Sequence, residues 1–276
     1  MQRLARVEKV VPSGAYTRLR LSAPDVAPAV QPGQFVALTV GGPTTSLLLR
    51  RSFAVYRADG EGVEVVVAAH GPGTTWLTER ASGDVVDVVG PLGRPFPDLA
   101  GPGSVVLVGG GYGAAALVML AARLRAQGRP VTAVLGAADA DRLFGVSDLE
   151  GLGAEVLVST DDGSAGTRGL VTDLLAGAGA GALAEAAAVY ACGPMAMLAA
   201  TARRAATAGV DCWCSVEESM ACGVGVCMTC VLPVVGEDGQ TRMTRSCVAG
   251  PTFAGTAVRW DDIGTVPPDC VGAVGH

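Results

Sequence analysis

Cys222, Cys227 and Cys230 in the run MACGVGVCMTCV, with Cys247 in SCVAGPTF, set four thiols at the spacing C-x4-C-x2-C...C. That spacing is the plant-type ligand pattern for a [2Fe-2S] cluster, a centre that moves single electrons. Glycine suits such a loop because the backbone must curl around the cluster and turn its N-H groups toward sulfur, where hydrogen bonds tune the potential. Gly223 and Gly225 do this with no Cβ in the way. Structural zinc is the rival reading, but it usually takes two close Cys pairs in tandem, and here only Cys227 and Cys230 form a C-x-x-C pair. Unligated buried thiols are the third reading. The sixteen residues between Cys230 and Cys247 make a shorter gap than a plant ferredoxin leads one to expect, which points to a different kind of cluster domain.

A second chemistry is suggested by Gly109, Gly110, Gly111 and Gly113, which follow the predicted strand SVVLV and open a predicted helix. Backbone N-H groups and a helix N-terminus would there face a phosphate. The run departs from the G-x-G-x-x-G fingerprint, and a plain tight strand-to-helix turn is the alternative. Cys212 and Cys214 share one face of a strand and read as core residues, with Cys270 idle. His70 and His276 are the only histidines, so a multi-histidine metal site and a Ser-His-Asp hydrolase are both excluded.

These residues need elements to hold them. In 276 residues, two or three domains are expected. From residue 1 to 98, short β-branched runs recur between turn signals (VEKVVP, AYTRLRLS, QFVALTV, RRSFAVYR, GVEVVVAAH, DVVDVVG), as in an antiparallel barrel or sandwich. From 99 to 208, strands alternate with helices (SVVLVGGGYG, AAALVMLAARLRAQG, PVTAVLGA, AEVLVST, GLVTDLLAG, AAAVYACG, PMAMLAATARRAA), which implies a doubly wound parallel α/β sheet. AGAGAGALAEAAA is of low complexity and is read as a loop leading into a helix or strand. A small cysteine-bearing domain fills 209–276, its strands DCWCSVEES and MTCVLPVVG framing the ligand loop.

Half of the residues are apolar, the formal charge is −6 and Lys9 is the single lysine. This unclustered acidic balance gives no footprint for nucleic acid or an anionic membrane. Leu99 to Ala122 is free of charge and long enough to span a bilayer, but its GPG lead-in and GGGYG centre argue for a buried strand, loop and helix. The start MQRLARVEKVVPSG lacks the apolar core of a signal peptide, so a cytoplasmic protein is expected, and its eight cysteines point to metal or redox chemistry.

The order barrel, glycine-rich nucleotide domain and C-terminal cluster resembles the ferredoxin reductase superfamily. Within it, LLLRRSFAV, GPGTTWL, GPLGRPF, VGGGYGAAAL, STDDGSAGTRGLVTD, ACGPMAML, SVEESMACGVGVCMTCV and SCVAGPTF resemble the electron transfer subunits of class B dihydroorotate dehydrogenase. The resemblance implies that Arg51, Ser52, Phe53 and Ala54 hold FAD, with Arg51 on the pyrophosphate, a role a guanidinium suits by making two hydrogen bonds to phosphate oxygens. A solvated arginine at a strand edge is the alternative. The family usually has Pro at Ser52 and Ser at Ala54, and that serine is expected near flavin N5. Gly73 and Thr74 match a Gly-Thr pair that meets a flavin phosphate, or form an ordinary turn. Val66, Val67 and Ala68 match a strand beside the cofactor but lack its aromatic-Arg pair.

For NAD the resemblance points to the Gly109 to Gly113 loop, the run from Thr160 to Ser164 and the pair Cys192-Gly193. Asp162 or Asp139 would accept hydrogen bonds from ribose, and no arginine cluster is evident for a 2′-phosphate; a solvated loop residue or helix cap is the plain alternative for each. Cys192 is expected near the nicotinamide or as a small buried filler. The implied function is electron transfer from a catalytic, FMN-bearing dihydroorotate dehydrogenase subunit through the [2Fe-2S] cluster and FAD to NAD+, in a two-plus-two heterotetramer. A relative serving a hydrogenase or a ferredoxin:NADP oxidoreductase is the near alternative. A non-enzymatic metal-binding scaffold is the distant one.

Overall fold

The computed structural model describes residues 1–42, 44–176 and 181–273; positions 177–180 of the low-complexity run and His276 lie outside the described residues. Strands β1 (Gln2–Ser13), β2 (Tyr16–Ser22), β3 (Phe35–Leu38), β4 (Arg51–Asp59), β5 (Gly62–Ala68) and β6 (Val85–Leu92) close a barrel in the order β1-β2-β5-β4-β3-β6. Every pairing in it is antiparallel. Alternate side chains such as Val7, Leu19, Leu21, Leu38 and Val65 fill its interior, the period-two consequence of β-branched and leucine-rich strands. A short helix, α1 (Pro72–Thr78), leaves the barrel after β5.

The chain then alternates β7 (Ser104–Gly110), α2 (Ala115–Ala126), β8 (Val131–Ala137), α3 (Val146–Gly151), β9 (Glu155–Thr160), β10 (Thr167–Arg168), β11 (Ala186–Cys192) and α4 (Met195–Ala208). GLVTDLLAG supplies a 3-10 turn over Val171–Ala176. Helix α2 is buried around most of its circumference (Ala115, Ala116, Leu117, Val118, Leu120, Ala121 and Leu124), which explains why no charge interrupts Leu99 to Ala122. Among the described residues no helix is long and apolar enough to cross a membrane.

The tail adds β12 (Asp211–Ser215), β13 (Val231–Val235), β14 (Thr241–Arg245), α5 (Ser246–Ala249) and β15 (Thr252–Ala254). The sheet order is β10-β9-β8-β7-β11-β12-β15, with β12 parallel to β11 and β15 antiparallel to β12. The expected boundary at 209 therefore falls inside a continuous sheet. Helix α4 is a crossover that returns β12 beside β11, and only the β13-β14 hairpin stands apart.

Barrel and sheet share one core. Tyr16, Tyr56, Val66 and Ala68 of the barrel pack with Leu107, Leu117, Phe144 and Tyr190. Tyr16 donates to the Arg142 carbonyl at 2.9 Å, and Arg57 of β4 pairs with Asp148 of α3 at 2.5 Å. The strand order reverses at β7, between β8 and β11, and a crevice at such a switch point is where open α/β sheets bind ligands.

Candidate redox site at the barrel and sheet junction

A cleft of about 680 Å³ lies at that junction, within the roughly 300–1,000 Å³ usual for small-molecule sites. The barrel contributes Arg51, Ser52, Phe53, Ala54, Val66 and Ala68, and α1 contributes Thr74. Gly113 and Cys192 come from the sheet edge, and residues 215–221 and Thr229 from the tail. The structure thus brings together most of the residues expected at the flavin with Cys192 and the start of the cluster loop.

Two adjacent arginines enter β4, and their partners distinguish them. Arg50 is committed to Asp87, with Nη2 to Oδ2 at 2.8 Å and Nη1 to the backbone carbonyl at 3.0 Å. Arg51 donates only to the Leu49 and Arg50 carbonyls and has no carboxylate partner among the described residues. Its guanidinium lies over Gly73, where a Cβ would stand 3.2 Å from Nε and 3.0 Å from Val40. A side chain at 73 would fill this cradle, so Gly73 leaves the first turn of α1 open beside an unpaired cation, as a phosphate site needs.

Thr74 differs from expectation. Its hydroxyl donates to the Gly71 carbonyl and accepts from the His70 and Gly71 N-H groups, so it caps its own turn. Val67 also differs: its side chain points into the barrel core, while Val66 and Ala68 alternate to the cleft side.

At the sheet edge Gly113 must be glycine for packing, because a Cβ there would stand 2.6 Å from the Cys192 carbonyl oxygen. Gly110 and Gly193 meet each other backbone to backbone, and Gly109 lies under Ala114 and Leu135. Gly111 lies at Tyr16, with its φ of +52°. Of this glycine run only Gly113 reaches the cleft.

Asp162 does not line the cleft; its Oδ1 accepts from Ser164 N at 2.9 Å and from Ser164 Oγ at 2.6 Å, bonds that hold its carboxyl below the usual range. Asp139 likewise caps the turn at Arg142 and pairs with that side chain. Both candidate ribose acceptors are held in local turns, a competition typical of Asp.

Burial, with Glu217 adding to it, pushes the Cys192 thiol up to about 12, so it is an uncharged thiol at neutral pH and a poor nucleophile. Glu217, on the cleft wall, has its own carboxyl raised by desolvation. Tyr112, His70, Ser215, Glu217 and Thr229 were not singled out from sequence, although SVEES lies within the recognisable tail.

The four candidate ligand thiols perturb one another: Cys227 acts on Cys222, and Cys230 and Cys222 both act on Cys247. Backbone N-H groups of Val224 and Val226 point at Cys222 Sγ, at 3.4 and 3.3 Å, as a loop wrapped around an anionic centre should arrange them. Burial pushes the Cys222 thiol up, but N-H groups of Cys227, Val224 and Val226 together with the Cys227 thiol outweigh it and bring it down to about 6. Cys247 is pushed up to about 12, first by burial and then by Cys230. Among the described residues no three His, Cys, Asp or Glu side chains converge as a single metal ion requires. Cys230 and Cys247 pack on Phe35, Leu92 and Met220, and Phe35 and Met220 also line the cleft, so cluster loop and cleft share a wall.

Residues 217–259 match the family model described as the iron-sulfur cluster binding domain of dihydroorotate dehydrogenase B. The chain is 39% identical over 239 residues to the dihydroorotate dehydrogenase B (NAD(+)) electron transfer subunit of Geobacillus thermodenitrificans, covering 85% of this chain and 89% of that one. The corresponding subunit of Desulforamulus reducens is 37% identical over 258 residues, covering 92% and 96%. Among solved structures, that of the NADH-dependent reduced ferredoxin-NADP oxidoreductase matches with a TM-score of 0.82 and 32% identity, over 95% of this chain and 91% of that one. The FAD/NAD binding domain of a Vibrio cholerae nitric oxide dioxygenase shares the fold, with a TM-score of 0.64 and 20% identity over 75% and 94%. With the cysteine spacing, the barrel and the switch-point cleft in agreement, the chain belongs to the family of dihydroorotate dehydrogenase B electron transfer subunits.

Proposed function

We propose that this chain carries FAD in the cleft and a [2Fe-2S] cluster on its four thiols, and passes electrons from an FMN-bearing dihydroorotate dehydrogenase subunit to NAD+, in pyrimidine biosynthesis. The observation that carries this reading is the shared wall. Arg51, Ala54, Cys192 and Thr229 line one cleft, and Thr229 is bonded to the cluster thiol Cys227. Bound FAD supplies the exchange between two-electron hydride chemistry and the single electrons of a [2Fe-2S] centre.

The protein's own residues bind, orient and exclude. Arg51, with Gly73 and the first turn of α1, holds the pyrophosphate; Ser52, Phe53, Ala54, Val66 and Ala68 bound the ring. Cys192 with Gly193, Gly113 and the loop from Gly109 form the approach for NAD, where a protonated thiol leaves a small uncharged surface. Asp162 meets the ribose only by exchanging its bonds to Ser164. No side chain has to act as a general acid or base.

The units 1–98, 99–208 and 209–276 correspond to flavin, nicotinamide and cluster functions, the last fused to the second through β12 and β15. Val224, Val226 and Met228 on the cluster loop are exposed, Val226 to 81%, and this apolar face suits the catalytic subunit in a two-plus-two assembly. A cytoplasmic location fits eight cysteines that are all free of disulfides.

Service to a ferredoxin-NADP oxidoreductase is the second reading, favoured by the 0.82 TM-score match. Co-expression with a catalytic dihydroorotate dehydrogenase subunit separates the two. The expected result is a stable complex that reduces NAD+ with dihydroorotate, while the isolated chain shows only NADH-to-dye activity. A complex that forms only with a ferredoxin or hydrogenase partner, and gives no NADH from dihydroorotate, would overturn the pyrimidine assignment.

A further inference from the structure

Thr229 stands where the two redox centres share a wall. Its Oγ1 donates to Cys227 Sγ at 3.2 Å, and the same residue lines the flavin cleft with Ala221, Met220 and Arg51. Backbone N-H groups also face the sulfurs: those of Cys227, Val224 and Val226 act on Cys222, that of Thr229 on Cys227 and that of Gly225 on Cys247. Among the described residues, Thr229 is the one side-chain hydroxyl donating to any of the four thiols. Cys227 is also the exposed member of the set, whereas Cys230 and Cys247 are buried.

We propose that Thr229 is a positioning residue that sets the potential of the [2Fe-2S] centre from the flavin side, through its hydrogen bond to Cys227. The inference rests on the cluster reading above. Reduction adds one electron, and the added negative charge is shared by the sulfur ligands. A donor hydrogen bond to one of them is stronger in the reduced state than in the oxidised state. The bond thus favours reduction and raises the potential, and removing it lowers the potential.

The test is an EPR-monitored redox titration of the holoprotein and its variants, with iron content measured alongside. Thr229→Val removes the hydroxyl at nearly constant volume, and Thr229→Ala does so with a smaller side chain should the valine variant load poorly. Both are expected to shift the reduction equilibrium toward the oxidised cluster roughly tenfold, ~59 mV more negative for one electron. Thr229→Ser keeps the donor and is expected to titrate near the parent. Full iron content with an unmoved midpoint in both Thr229→Val and Thr229→Ala would overturn the role of Thr229 alone, as would a Thr229→Ser midpoint displaced as far as that of Thr229→Val. Parent protein without iron would instead overturn the cluster reading itself.

Discussion

Gly223 of the cysteine loop rests on Ser52 of β4: a methyl group at Gly223 would stand 3.5 Å from the Ser52 hydroxyl oxygen and 3.5 Å from Ala37 Cβ. The loop that carries Cys222 is thus seated directly on the strand that carries Ala54. Those distances are ordinary contacts, so space alone would admit alanine. The backbone would not, because Gly223 has φ +71°, a conformation that costs an L residue about 1–2 kcal/mol. Gly223→Ala is expected to lower thermal stability by about that amount and to retain less iron per chain. Melting and iron analysis side by side check this, and parent-like values in both would show that the loop does not depend on this turn.

Arg50 and Arg51 are neighbours with different work. Arg51→Ala is expected to weaken FAD binding, since a hydrogen bond to a charged group contributes about 1.5–3 kcal/mol, on the order of ten- to a hundredfold in affinity. Arg50→Ala instead releases Asp87, and its effect should appear in the melting temperature with FAD affinity nearly unchanged. Flavin titration of the stripped proteins distinguishes them; the reverse pattern would reassign the pyrophosphate to Arg50.

Cys227→Ser should lose the cluster yet leave NADH-to-dye activity largely intact, because Arg51, Ala54 and Cys192 stand on the barrel and the sheet, apart from the ligand loop. Iron and flavin content with a dye assay tests this. Loss of FAD together with iron would mean that the shared wall at Phe35 and Met220 makes the two sites interdependent.

The features legible in the sequence are those whose meaning is local. C-x4-C-x2-C is one loop, and Arg51 to Ala54 is one strand. Glu217 and Thr229 gain their places only when β12 crosses to lie beside β11 and the cluster loop folds back onto the barrel, contacts between segments far apart in the chain. DCWCS has the period of a strand, but period does not say which sheet a strand joins, so the expected boundary at 209 cuts the seven-stranded sheet. Asp162 and Thr74 show the opposite limit. Their types suit a ribose or a phosphate, yet short polar side chains readily close their own turns, and here both do.

Ala54 lines the cleft at the position where the resemblance implies serine. A methyl group cannot hydrogen-bond to the flavin and a hydroxyl can. Ala54→Ser is expected to shift the reduction potential of the bound flavin without changing iron content. A spectroelectrochemical titration that overlays the parent would remove position 54 from the residues that tune the flavin.

The thiols themselves provide a chemical test of the geometry. In protein stripped of iron and flavin, Cys222 is brought down to about 6 and is a thiolate at pH 8, the reactive form. Cys192 is pushed up to about 12 and is a protonated thiol at the same pH, besides being buried. Native labelling with iodoacetamide at pH 8, mapped by mass spectrometry, should therefore modify Cys222 well before Cys192. Lowering the pH from 8 to 5 passes through the Cys222 value and should slow its labelling by about tenfold or more, while Cys192 remains unlabelled throughout. For Cys192 the raised value favours the folded protein below the ordinary thiol range, and that contribution falls away as pH rises from about 9 toward 12. Rapid native labelling of Cys192 at pH 8 would mean that β11 does not end against β12 as described, and the cleft built on that contact would have to be redrawn.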